Sequence, residues 1–568
     1  MMSPANGEQW RLLVLGLSMA AGASLIAQHL FWYQVADQAQ LTEMATETRK
    51  QSQPITPERG ALLDAKGRPL AVTVTYHSVY VFGPQIREAE RTSVSNRLGA
   101  ILSLPADQVL ATIRQADREW KAVAEQVPFA LTSQIEAARF PGVDLRPVQV
   151  RDYPEGSIAP QVLGFVGRDA QGLSGVELTM ENELAGRPGL LISERDTEGG
   201  EIAIGRKQLV PAIKGSDLVL TIDRQIQRSA ERILGEAIRQ NKGSGGVILV
   251  MEPATGALAA MASFPTFSLS PSMRIQPGQD YLYKPLPVTD TYEPGSVLKL
   301  ITVAAAIDGQ AVGPDSRYFD GGVASVDGVA IRNWDGRGYG SVTVRQILQY
   351  SLNTGAQWVA AQLGADHFYQ YLDRFGFGRP TGIALNGEAG GSFRVPGDPD
   401  WTRLDLATNA YGQSIAATPL QVLSAVAALG NGGVRMRPQL IREIRGQGGV
   451  RAVPPEAVQR VVSEETAAIM LNLMTSVWNQ PSLQTNWIAG YDIAGKSGTA
   501  DIAGPGGYNS GKTYASFVGL GPMPNPQFAV LVRVDQPETT WGGLAAAPAL
   551  SAMFQEIFAY VRIPPSRH

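Results

Sequence analysis

The chain reads as an α+β protein. One antiparallel sheet with helices packed on it follows an elongated mixed module and a single membrane helix. Three observations predict this. A long uncharged run lies near the N-terminus. Beyond residue 216, strand-like segments occur at both ends with helical segments between them, the order of a sheet built from distant parts of the chain. Of 568 residues, 44% are hydrophobic, and Gly 61 with Pro 37 falls short of the ~25–30% share of a low-complexity chain, so the bulk is globular.

Each element follows in order. Leu12 to Tyr33 is apolar and uncharged, long enough for the ~20 residues that cross a bilayer as helix. Trp10, Trp32 and Tyr33 bracket it as an aromatic belt would. A cleaved signal peptide is the competing reading, but its AxA-like site, Ala21-Gly22-Ala23, lies inside the run rather than after it. We expect an uncleaved anchor over 12–33, with residues 1–11 cytoplasmic and the bulk outside. Gln34 to Lys50 reads as a polar helix leaving the membrane, broken by Pro54-Ile-Thr-Pro57. A module over 34–215 mixes β-rich runs (71–76 and 78–82) with charged helical stretches near 87–140. The domain over 216–562 opens with a strand, Leu218–Ile222, and Asp223 then caps an amphipathic helix to about Gln240. Val247–Met251 and Ala257–Ala262 form a hairpin around Pro253-Ala-Thr-Gly256. Helices and Gly-rich loops are expected over 296–480, strands near 514–519 and 528–534, and a helix at about 547–560. No sustained internal repeat or heptad pattern is present.

Composition removes whole classes of chemistry. There is no cysteine, hence no thiol nucleophile, disulfide framework or thiolate metal site. The four histidines are His29, His77, His367 and His568, so a Ser-His-Asp enzyme would have to use His77 or His367. A net charge of -4 argues against a general nucleic-acid binder. A hydrolase or transferase built on this chain needs a base other than histidine.

Tyr292-Glu-Pro-Gly-Ser296-Val-Leu-Lys299 offers one. Pro-Gly ends the preceding segment, and the apolar series from Val297 to Ala306 reads as a buried helix with Ser296 at its N-terminus. Lys299 stands one turn on, on the serine's face. Desolvation on an apolar helix lowers a lysine's pKa, so a neutral amine stands near the serine, and the helix end favours negative charge there. Taken alone, Ser-x-x-Lys is an ordinary coincidence with a solvated lysine. Tyr350-Ser351-Leu352-Asn353 ends a helix-like run and supplies a hydroxyl and an amide to orient the lysine and a peptide. Lys496-Ser497-Gly498-Thr499 offers a cation and two hydroxyls suited to a carboxylate along a strand edge, with Gly498 admitting a close substrate backbone. A phosphate loop is rejected, because Tyr491 stands where its first glycine belongs.

In this order the three segments resemble the active-site set of penicillin-binding proteins and serine β-lactamases. Ser-Leu-Asn replaces the usual Ser-Asp-Asn, and Ser497 stands where many members carry threonine. Further segments resemble class B high-molecular-weight members: Pro57-Glu-Arg-Gly-Ala-Leu-Leu-Asp64, Arg151-Asp-Tyr-Pro154, Leu163-Gly-Phe-Val-Gly167 and Gly172-Leu-Ser-Gly-Val-Glu177 before the nucleophile. After it come Phe375-Gly-Phe-Gly378, Thr418-Pro-Leu-Gln421, Asn431-Gly-Gly433 and Ala515-Ser-Phe-Val-Gly519. The resemblance covers about 57 to 550.

It implies a penicillin-binding/β-lactamase-like transpeptidase fold over 216–562 and a pedestal of the dimerisation type over 34–215. It implies a D,D-transpeptidase in which Ser296 attacks the D-Ala-D-Ala bond of a peptidoglycan stem peptide and Lys299 takes its proton. Ser351 and Asn353 would relay protons and position the peptide. The N–H groups of Ser296 and Thr499 would form the oxyanion hole. Lys496, Ser497, Gly498 and Thr499 would hold the terminal carboxylate. D-alanine leaves, and an acceptor amine from a neighbouring stem closes the cross-link. β-Lactams would trap Ser296, and no metal or organic cofactor is needed. Partners would be stem peptides, β-lactams, the membrane and a multi-spanning glycan polymerase with its cell-wall synthesis complex. The place would be the bacterial inner membrane, in cell elongation or division. A D,D-carboxypeptidase, or a non-catalytic scaffold or β-lactam sensor, is the alternative.

Overall fold

A computed structural model of the chain describes residues 6–39, 41, 50–194, 207–270, 277–502, 508 and 511–565. Two compact units result: Met1–Glu58 with Gly186–Lys214, and Arg59–Ala185 with Gly215–His568.

In the first unit Asn6–Phe31 is one α-helix, continued by a π-helical turn over Trp32–Ala36. Trp10–Ala36 has mean hydropathy 1.6, none of its most apolar stretch is buried by protein, and it is long enough to cross a bilayer. The expected polar helix to Lys50 is replaced at its end by a strand, Lys50–Ile55, while 40 and 42–49 lie outside the described residues. Pro54 sits within that strand instead of breaking it. The strand is the edge of a three-stranded antiparallel sheet with Gly189–Glu194 and Lys207–Val210, and an edge position tolerates a residue without an N–H.

Among the described residues the second unit holds two large sheets and three two-stranded ones. Strand Pro69–Val81 joins what the sequence suggested as two runs, and pairs with Lys121–Val127 and Val143–Asp152. The first of those partners interrupts the helical stretch expected over 87–140; Lys121–Val127 has no clean alternation, and its pairing with Pro69–Val81 is what makes it a strand. This sheet continues through Leu62–Leu63 and Asp217–Leu220 to Ile441–Gly446 and Gly449–Ala452. It therefore crosses the expected boundary at 215/216, and the expected 34–215 module is shared between the two units. Short hairpins over 317–343 and 441–452 also occupy a region expected to hold only helices and loops. Strands of 4 to 6 residues carry too little periodicity to be read.

The other large sheet positions the site. Its strands are β1 (Gly245–Met251), β2 (Leu258–Phe264), β3 (Ala494–Asp501), β4 (Thr513–Gly521) and β5 (Phe528–Asp535), in the antiparallel order β2-β1-β5-β4-β3. The hairpin and the two closing strands stand as expected. β3 is a free edge. The helices include α1 (Arg224–Asn241), α2 (Lys299–Asp308), α3 (Val344–Tyr350), α4 (Asn353–Leu363) and α5 (Ala547–Val561). Asp223 caps α1 by accepting from the Gln225 N–H at 2.8 Å. One face of the sheet, with Ile248, Val250, Phe517 and Val532, packs with Ala230, Leu234, Leu550 and Phe554 of α1 and α5. The other, with Leu249, Val518 and Leu531, packs with Leu300, Val303 and Ala304 of α2. Although α5 belongs to an apolar stretch long enough to span a membrane, that stretch is 56% buried and is a core helix.

Candidate active site

Gly295–Val297 forms a 3₁₀ turn that runs into α2, so Ser296 lies at a helix N-terminus as expected. The turn is tightly specified. Gly295 has φ +55°, and a Cβ there would fall 2.5 Å from the Thr499 carbonyl oxygen and 3.3 Å from its nitrogen. From the other side, the Gly295 N–H donates to the Gly412 carbonyl at 3.0 Å. Glu293 braces the base of the turn, its Oε1 accepting from the Ser414 N–H at 2.9 Å and the Tyr508 hydroxyl at 2.6 Å.

Lys299 opens α2 and is fully buried. Its Nζ donates to the Ser351 carbonyl (2.6 Å), the Ser351 hydroxyl (3.3 Å) and Asn353 Oδ1 (2.8 Å). Lys496, 1% exposed, comes from β3 and donates from Nζ to the same Ser351 hydroxyl at 2.9 Å. Two buried amines thus converge on one hydroxyl. Burial, and then the charge of Lys496, holds Lys299 well below the ordinary lysine value. Burial alone pulls Lys496 down to about 7. Among the described residues no hydrogen bond joins the Ser296 hydroxyl to Lys299; catalytic contacts of this kind tighten when substrate arrives.

Ser351 adopts the left-handed conformation, φ +57°, at the C-terminus of α3, and Asn353 opens α4. A layer that sequence reasoning missed holds them. Asn333 Oδ1 accepts from the Asn353 N–H at 3.1 Å, and its Nδ2 donates to the fully buried Asp320 at 2.8 Å. Thr354 donates to Asp320 at 2.8 Å. Asn353 Nδ2 donates to the Arg332 carbonyl at 3.0 Å, which leaves its Oδ1 for Lys299. Asn333 and Asp320 lie on short hairpins with no motif of their own, so no sequence signal marked them.

On β3 the strand alternation turns Lys496 and Gly498 toward the Ser296 turn and Ser497 and Thr499 to the other face at the free edge. The fold itself requires glycine at 498: a Cβ there would meet Ser516 Oγ at 2.5 Å, the Pro294 carbonyl at 2.7 Å and Val297 at 3.0 Å, so the Ser296 turn takes the space. The Thr499 hydroxyl accepts from the Gly542 N–H at 3.0 Å. Trp334 and Trp541 meet edge to face at 4.4 Å, the latter next to the Gly542 that bonds Thr499. Trp334 Nε1 is tied to the Tyr350 carbonyl at 3.0 Å, beside Ser351. His77 and His367 are not among these groups; no cluster of metal-ligating side chains occurs among the described residues.

The chain is similar to known proteins over most of its length. Residues 246–557 match the penicillin-binding protein transpeptidase domain, and residues 54–220 the penicillin-binding protein dimerisation domain. Stage V sporulation protein D of Bacillus subtilis is 31% identical over 96% of this chain and 84% of its own length. The peptidoglycan D,D-transpeptidase FtsI of Escherichia coli is 28% identical over 99% of this chain and 93% of its own. The crystal structure of penicillin-binding protein 2X from Streptococcus thermophilus shares the fold with a TM-score of 0.80, at 23% identity over 91% of this chain and 81% of that one. With its transpeptidase domain, its N-terminal dimerisation-type domain and relatives that match over nearly the whole length, the chain belongs to the class B penicillin-binding proteins.

Proposed function

We infer that this protein is a membrane-anchored serine D,D-transpeptidase that cross-links peptidoglycan stem peptides and is acylated by β-lactams. The observation that carries the reading is the pair of buried amines on the Ser351 hydroxyl, one of them, Lys299, a turn from Ser296, and both without a carboxylate partner among the described residues.

Ser296 Oγ attacks the carbonyl carbon between the two terminal D-alanines. Lys299, whose desolvation favours the neutral amine, takes the hydroxyl proton. The oxyanion forms against the N–H groups of Ser296 and Thr499; the close approach of Gly295 to Thr499 supports that pairing. The proton passes by way of the Ser351 hydroxyl, which both amines reach, to the departing amine, and D-alanine leaves. The terminal carboxylate lies along the β3 edge against Lys496, Ser497 and Thr499. The acceptor amine of a second stem then attacks the ester carbonyl, gives up its proton through the same relay, and Ser296 returns to its starting state. No step calls for a cofactor.

The fully exposed apolar helix supports a single-pass anchor with the N-terminus inside and the catalytic unit outside. A multi-spanning glycan polymerase bound through the anchor and the 34–215 module would supply the strands to be joined.

The test is intact mass after incubation with penicillin, on detergent-solubilised protein and its Ser296→Ala variant. A persistent adduct on the wild type alone is expected. Rapid loss of the adduct with accumulating hydrolysed drug would mean a β-lactamase, and no adduct at all would favour a scaffold. Supplying a stem peptide with and without an amine acceptor then separates transpeptidase from carboxypeptidase.

A further inference from the structure

Arg533 has no place in this mechanism, yet it is 1% exposed on the central strand β5. Its Nε and Nη2 donate to Asp535 at 2.7 and 3.0 Å. Its Nη1 is buried and has no protein partner among the described residues. The guanidinium carbon lies 5.0 Å from the ring centroid of Tyr292 and 5.1 Å from that of Tyr514. A cation this deep is retained only where its neighbours offset its desolvation, and an apolar residue of the same size often serves stability as well or better. Its presence asks for another reason.

Its neighbours supply one. Gly498, Ser516 and Arg533 stand directly opposite one another on β3, β4 and β5, on the face turned toward the nucleophile. Arg533 is thus two strand spacings, roughly 10 Å, from the glycine that receives the Ser296 turn. Tyr292 is the root of that turn, four residues before the serine. Its backbone exchanges hydrogen bonds with Ala417 at 3.0 and 2.9 Å, and its ring meets Tyr514 edge to face at 5.7 Å. Between Tyr292 and Ser296 the backbone is fixed by Pro294 and by the close approach of Gly295 to Thr499. A shift of the Tyr292 ring therefore reaches Ser296 with little slack.

We propose that Arg533 is a positioning residue for the nucleophile: its guanidinium holds the Tyr292 ring against Tyr514 and thereby sets the orientation of Ser296 relative to the β3 edge. Desolvation strengthens such a cation–ring contact, and Asp535 aims it. The proposal rests on Ser296 being the nucleophile.

The experiment is stopped-flow acylation of the full-length protein by a chromogenic cephalosporin, resolved into the pre-covalent dissociation constant and the acylation rate constant, per active site titrated with labelled penicillin. Arg533→Met is expected to slow acylation about tenfold, the scale of a modest misplacement, with the dissociation constant within about twofold of wild type and the melting temperature unchanged or raised. Arg533→Lys, which keeps a cation under the ring, is expected to recover most of the rate. Tyr292→Leu should match Arg533→Met, and the double variant should be no slower than either single one. A wild-type acylation rate in Arg533→Met, or losses that multiply in the double variant, would overturn the proposal. Should Arg533→Met not fold, Asp535→Asn, which frees the guanidinium from its aim, carries the same expectation of a slower acylation rate at constant affinity. Failure of the wild type itself to be acylated would instead sink the transpeptidase reading.

Discussion

Two buried clusters in the same unit treat charge in opposite ways. At one, Arg59 and Arg151 share the fully buried Glu177, with Nε to carboxylate distances of 2.6 and 2.8 Å, and Arg59 also pairs with Glu181 at 2.7 Å. Burial pulls the Arg59 pKa down, but the carboxylates of Glu181 and Glu177 outweigh it and hold the group above its ordinary value. At the other, Lys299 and Lys496 meet only neutral oxygens among the described residues, and burial brings both down. Paired charge under the same burial makes a rigid joint whose protonation is fixed. Unpaired amines make a site whose protons are held less tightly than on an ordinary lysine. The second arrangement costs stability, and catalysis is where that cost is put to use.

Replacing Lys299 by Met breaks the comparison most sharply. Acylation should fall by about 10²–10⁴, the range of a general base, while thermal stability rises because a desolvated amine is gone. A variant both inactive and strongly destabilised would mean that Lys299 is a structural cation like Arg59. At the paired cluster Glu177→Gln should do the reverse. Leaving two arginines short of a carboxylate should cost about 3–5 kcal/mol in denaturant unfolding, with acylation per folded molecule within about twofold of wild type.

Lys496 sharpens the comparison through pH. In the proposed mechanism its ammonium holds the substrate carboxylate, so acylation should fall as pH rises through about 7, where the amine loses its proton. Lys496→Arg keeps its charge and should carry that alkaline limb upward beyond pH 9 in a profile of the second-order acylation rate constant, about two units or more above the wild type. Folding stability has the opposite slope. Between about 7 and the ordinary 10.5 the unfolded chain holds the extra proton, so wild-type stability should rise across that window, and the rise should be smaller in Lys496→Met.

Smaller effects come from groups that only brace the site. Asn333→Ala removes the acceptor for the Asn353 N–H and should lower acylation by an amount equivalent to about 1–3 kcal/mol, with the pH limbs unmoved. Trp541→Ala breaks an edge-to-face pair worth about 0.5–1.5 kcal/mol, so the acylation rate should change by less than about tenfold. A hundredfold change would mean that the indole pair does more than brace the rim.

The parts that could be read from the sequence are those where local chemistry is decisive. The apolar helix, the Asp223 cap, the hairpin around Gly256 and the three motif segments each carry their signal within a few residues. Motif order made Ser296, Lys299, Ser351, Asn353 and Lys496 readable as one set before any fold was known. Strand Lys50–Ile55, the hairpins around Asn333 and the sheet joining Leu62 to Ile441 were not readable, because short strands gain their stability from partners far along the chain.

By itself, then, the sequence determined which side chains are available and which helix ends and strands present them. Tertiary structure decided their electrostatics. Nothing in Lys-Ser-Gly-Thr says that its lysine meets neutral oxygens, that its glycine yields space to Pro294, or that Arg533 lies in the same row two strands away. Those facts depend on burial and on cross-strand register, which arise only when segments hundreds of residues apart are packed together.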